Sequence, residues 1–136
     1  MPLSFETEIP KAFVCGENSA AELSGLHYKD GSCSLRWSWS APSTLRFNDF
    51  GQLMRSLRVK GAGVMLWIYN PRAVDADMRF SFETPTGEVP YRFDFHMDFT
   101  GWRACWIKYN DMPGDHASQQ VSRLTISTPA GVESGE

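Results

Sequence analysis

In Ser34-Leu35-Arg36-Trp37-Ser38-Trp39-Ser40 apolar and polar residues alternate without a break, the period of a strand with one buried face. The same period recurs downstream. Met78, Phe80 and Phe82 alternate with Arg79, Ser81 and Glu83, the Pro85-Thr86-Gly87 turn follows, and Tyr91, Phe93, Phe95 and Met97 alternate with Arg92, Asp94, His96 and Asp98. Two such runs around a turn predict a β-hairpin. Trp102, Ala104 and Trp106 continue the pattern against Arg103 and Cys105, and Val121 to Ser127 is a further β-prone segment. Val64 to Tyr69 is continuously apolar up to Asn70-Pro71, as expected of a central strand buried on both faces or nearly so. Phe50 to Val59 is the best helical candidate, with Leu53, Met54 and Leu57 on one face and Asn48 or Asp49 as cap, although strand or loop is equally arguable. Short strands between turns predict an all-β antiparallel β-sandwich, a jelly roll, over residues 1–128, with 129–136 as a flexible tail. The expected core is Leu35, Trp37, Trp39, Trp67, Phe80, Phe82, Phe93, Phe95, Trp102 and Trp106.

Composition narrows the class. At 136 residues the chain is one domain, large enough for a real core. With 42% hydrophobic, 13% aromatic and 21% charged residues, it is neither disordered nor a coiled coil. The formal charge of -3 shows no overall footprint for nucleic acid or an anionic membrane. No apolar run reaches the roughly 18 residues of a membrane span, and the opening Met-Pro-Leu-Ser-Phe-Glu lacks the features of a signal peptide. Cys15, Cys33 and Cys105 lie far apart without a CxxC or a His pair, which argues against zinc and for buried packing groups; a Cys15–Cys33 bridge stays open.

No catalytic constellation emerges. A phosphate loop, a GxSxG elbow and HExxH are all absent from the sequence. His27, His96 and His116 read as structural or surface groups, and Asp75/Asp77 and Asp94/Asp98 as solvated pairs. Glu6 and Glu8, with the Lys29-Asp30-Gly31-Ser32 turn, supply the oxygens a Ca²⁺-like ion needs, but Asp-Gly is also a common turn requiring no metal.

Five blocks carry a family resemblance. Phe5-Glu6 with Ile9-Pro10, His27 to Trp37 (HYKDGSCSLRW), Trp67-Ile68-Tyr69-Asn70, Phe99 to Arg103 (FTGWR) and Tyr109 to Gly114 (YNDMPG) occur in order across nearly the whole chain. In this the sequence resembles the N-terminal domain of chondroitin ABC lyases of polysaccharide lyase family 8. The resemblance implies a galactose-binding-like jelly roll, similar to carbohydrate-binding modules, that precedes a helical toroid holding the lyase chemistry. It also implies a secreted or periplasmic parent enzyme, with glycosaminoglycan and the catalytic domain as partners. The family continues into a further strand where this chain stops, so an edge strand is expected to be missing. The resemblance adds weight to a structural Ca²⁺ held by Glu6, Glu8, Asp30 and Ser32.

The expected function is therefore a non-catalytic carbohydrate-binding-like domain of a chondroitin or dermatan sulfate lyase, or else a purely structural interdomain module. For sugar binding the candidates are Arg79, Arg92 and Arg103, expected to project away from the core as forks for sulfate and carboxylate groups. Pairing with Glu83, Asp94 and Asp98 on the same face is the competing expectation. Arg55, Arg58 and Lys60 form a second, equally ambiguous basic cluster.

Overall fold

A computed structural model of the chain describes residues 5–29, 31–48, 63–113 and 121–136. The helical candidate at 50–59, the basic cluster Arg55, Arg58 and Lys60, His116 and Asp30 lie outside these described residues. The strands are β1 (Phe13–Cys15), β2 (Ser19–Ser24), β3 (Ser34–Ser40), β4 (Thr44–Phe47), β5 (Gly63–Asn70), β6 (Asp77–Glu83), β7 (Tyr91–His96), β8 (Gly101–Lys108), β9 (Arg123–Ser127) and β10 (Ser134–Gly135). One 3-10 turn, Tyr109–Asp111, is the only helical element among the described residues, and no helix there is long and apolar enough to cross a membrane.

All strand pairs are antiparallel. They form a five-stranded sheet in the order β1-β4-β9-β6-β7, a three-stranded sheet β10-β3-β2 and a two-stranded ribbon β5-β8. The apolar faces of all three contribute to one core, so the chain is an all-β sandwich, as the alternation predicts. From the five-stranded sheet come Leu45, Phe47, Met78, Phe80, Phe82, Phe93 and Leu124; the smaller sheets contribute Trp37, Trp39 and Cys105. Phe80 and Phe93 sit opposite each other in register, with stacked rings 4.6 Å apart.

The predicted hairpin is β6–β7. Its turn is closed by the Thr84 N–H donating to the Glu88 carbonyl at 2.9 Å, and Gly87 takes the positive φ of 88° that a side chain would resist. Residues 129–136, read from the sequence as a tail, place β10 beside Trp39 and Ser40 and leave Pro129 buried.

Three core assignments are corrected. Trp67 and Trp106 are 43% and 60% exposed. On β8 it is Cys105, 1% exposed, that points inward, so the inward phase is Arg103-Cys105-Ile107 and the tryptophans face out. Trp102 belongs to the same outward set and is half-buried there, with Tyr69 packed against it, ring centroids 5.3 Å apart. Strand β5 is likewise buried on one face, not two: Val64, Leu66 and Ile68 pack on the core while Met65 and Trp67 are exposed. Leu35 and Phe95 pack against the core only partly buried.

Candidate functional site

Two surfaces carry chemistry, and the first is the outer face of the β6–β7 hairpin. Arg79 forks onto Asp94, its Nε and Nη2 donating to the two carboxylate oxygens at 2.8 and 3.1 Å. This hydrogen bond holds the Asp94 carboxyl below its usual range and raises Arg79. Arg103 donates to Asp98 at 3.0 Å and lies 4.4 Å above the Phe99 ring. It leaves β8 on the Cys105 side, at the rim of the core, rather than from the opposite face as expected. Arg92 is exposed, and its charge also favours ionised Asp94. Glu83 pairs with Arg123.

His96 sits between the aspartates, with Nδ1 2.6 Å from Asp77 and Nε2 3.2 Å from Asp75 and 4.0 Å from Asp98. The hydrogen bond to Asp77, helped by the charges of Asp98 and Asp75, raises its pKa. The structure thus gathers Arg79, Arg92 and Arg103 along one strip, but interleaves these three arginines with four aspartates. Such a strip offers no surplus positive charge, and an incoming sulfate would have to displace a carboxylate from Arg79 and Arg103.

The second surface was not singled out from the sequence. Strands β5 and β8 pair with Met65 opposite Trp106, Trp67 opposite Ala104 and Tyr69 opposite Trp102, all six on the outward face. Met65 is 59% exposed, comparable to Trp106. Trp67 and Trp106 are diagonal neighbours across the ribbon, roughly 7–8 Å apart at that register, and both are exposed, so the outward face presents an aromatic platform. Lys108, opposite Gly63 at the ribbon end, holds its ammonium 6.0 Å from the Trp106 ring. The loop between β2 and β3 reaches over the other end: His27 stacks on Tyr69 at 3.8 Å and Lys29 holds its ammonium 4.3 Å from the Trp67 centroid.

That loop is fastened at its base by Glu6. One Glu6 carboxylate oxygen accepts from the Ser32 N–H at 2.8 Å and the Ser32 hydroxyl at 2.7 Å, and the other accepts from the Cys33 N–H at 3.2 Å. These donors hold the Glu6 carboxyl below its ordinary range. Gly31, at φ 71°, passes so close that any side chain would run into the Glu6 carboxylate. Of the four oxygens expected to hold Ca²⁺, Glu6 and Ser32 therefore face each other as acceptor and donor, and Glu8 is exposed. Among the described residues no group of three or more His, Cys, Asp or Glu side chains could hold a metal ion. Asp30, the remaining member of the expected Ca²⁺ set, lies outside the described residues. Cys15, Cys33 and Cys105 are all free thiols, and burial pushes Cys105 up to about 12, which leaves it inert at neutral pH.

Comparison with known proteins places the fold. The family described as "Lyase, N terminal" matches residues 2–135. The chain belongs to this lyase N-terminal family. Among its curated relatives, the chondroitin sulfate ABC exolyase of Bacteroides thetaiotaomicron is 34% identical over 133 residues, 93% of this chain and 13% of that protein. The chondroitin sulfate ABC exolyase of Proteus vulgaris is 29% identical over 126 residues, 92% of this chain and 12% of that protein. The chain thus spans about an eighth of the length of these relatives. Among solved structures, the arabinose-bound MgGH51 α-L-arabinofuranosidase aligns with a TM-score of 0.57 at 12% identity, covering 91% of this chain and 22% of that one. At that identity the likeness speaks for the fold alone.

Proposed function

We propose that this domain is a non-catalytic, glycosaminoglycan-binding module of a secreted or periplasmic polysaccharide lyase acting on chondroitin-type chains, and that it holds sugar on the β5–β8 platform. The observation that carries the reading is the joint exposure of Met65, Trp67 and Trp106 on one ribbon face with a lysine near each indole. Pyranose rings present C–H faces that pack on indoles, and a polyanion gains from cations at the edge of that stack. The lysines differ from the arginines of the hairpin strip in one respect that matters for a polyanion. Among the described residues, no carboxylate forms an ion pair with Lys29 or Lys108. The curated relatives, both named chondroitin sulfate exolyases, supply the sugar class.

The alternative, a structural face that docks on another domain of the parent lyase, rests on the same apolar exposure. Calorimetry of the chain against a chondroitin sulfate oligosaccharide at low salt separates the two. The expected result is salt-sensitive binding that falls at least tenfold in the Trp67→Ala/Trp106→Ala variant and persists in Arg79→Ala/Arg92→Ala/Arg103→Ala. Loss only in the arginine variant would move the site to the hairpin strip. No binding by the wild type would leave the structural reading.

A further inference from the structure

We infer that Lys29 is the element that makes this platform selective for acidic over neutral sugar, by occupying the Trp67 stacking face until an anion draws it away. The inference rests on the sugar-binding reading of the β5–β8 face. Lys29 is not a distant cation attracting ligand from the rim: its ammonium stands 4.3 Å from the centroid of the ring on which a sugar would stack. It therefore competes with the ligand for the same surface. A neutral pyranose that displaces it forfeits the cation–π contact and receives no charge partner in return. A sugar bearing a carboxylate or sulfate gives the displaced ammonium an ion pair, so the exchange comes near to balance or better.

Several features place Lys29 for this role. The loop that carries it is fastened to the ribbon by the His27–Tyr69 stack, 3.8 Å between centroids and only 13° from parallel, and closed on itself by the Ser34 hydroxyl donating to the His27 carbonyl. At its base the Glu6 carboxylate takes three donors from Ser32 and Cys33, with Gly31 leaving it room. Glu6 is thus a positioning residue for Lys29: its hydrogen bonds go to Ser32 and Cys33 and fix the loop that covers the platform. Trp106, by contrast, is 60% exposed, and the cation beside it among the described residues, Lys108, is 6.0 Å from its centroid. The platform accordingly has one open stacking position and one guarded by charge.

The test measures affinity for two probes, a chondroitin sulfate hexasaccharide and the same oligosaccharide desulfated and carboxyl-reduced, in wild type, Lys29→Ala, Lys29→Arg and Glu6→Gln. In wild type the acidic probe is expected to bind more tightly. Lys29→Ala should weaken the acidic probe by about fivefold and strengthen the neutral one, so that the preference collapses. Lys29→Arg should restore the preference, and Glu6→Gln should give a value between wild type and Lys29→Ala. An unchanged acidic-to-neutral ratio in Lys29→Ala overturns the inference while leaving the platform as a sugar site. Absence of binding of both probes to the wild type overturns it together with the reading on which it stands.

Discussion

One residue decides the phase of β8. Arg103 looks like a solvent-facing charge, which assigns Trp102, Ala104 and Trp106 to the core; in the structure it lies at the rim on the core side, folded over Phe99 and held by Asp98. A long side chain can bury its stem and keep its head in water, so a charge near a strand end is a weak phase marker. Cys105 and Ile107 were the better markers, because a free cysteine is among the most buried residue types. The same substitution at two tryptophans tests this assignment. Trp37→Ala, in the core at 8% exposure, should cost about 3–5 kcal/mol in denaturant unfolding. Trp106→Ala, at 60% exposure, should cost less than about 1 kcal/mol. A loss at Trp106 as large as that at Trp37 would return its ring to the core.

At the scale of elements, the β6–β7 hairpin was fully legible. Its alternation is strict and its Pro-Thr-Gly turn unambiguous, so sequence and structure agree on which residues face inward. Strand β5 was not legible in the same way, because an unbroken apolar run contains no polar residue to mark the outer face. Nor was the reach of the β2–β3 loop, since the Lys29–Trp67 and Glu6–Ser32 contacts join residues far apart in sequence, and no local period records them. The hairpin also sets a pH dependence. His96 is raised above its ordinary 6.5 by the hydrogen bond to Asp77, so its contribution to stability is complete below that value and fades as pH rises through the folded-state pKa. Asp94, lowered from 3.8 by Arg79, contributes in the opposite sense: its share is present above that value and lost as pH falls through its folded-state pKa. A histidine proton NMR titration should find His96 inflecting above 6.5 and moving down in Asp77→Asn. An inflection at or below 6.5 that Asp77→Asn does not move would show that the strip is not assembled in solution.

For the whole molecule, the -3 charge conceals how the cations are deployed. The arginines of the hairpin strip are interleaved with aspartates, and Arg36 and Arg123 pair with glutamates, whereas the aromatic ribbon carries lysines without carboxylate partners among the described residues. Membership of the lyase N-terminal family could be read from five sequence blocks, but the position of the aromatic face could not, because that face exists only once β5 and β8 are paired. In the proposed function it is this face that meets the sugar. The five tryptophans provide a direct probe, since each indole N–H gives its own NMR signal. On titration with a chondroitin sulfate oligosaccharide at low salt, the Trp67 and Trp106 signals should shift progressively while those of the core residues Trp37 and Trp39 stay in place. Signals from all five that remain unmoved, or shifts confined to the side-chain N–H groups of Arg79, Arg92 and Arg103, would contradict the account.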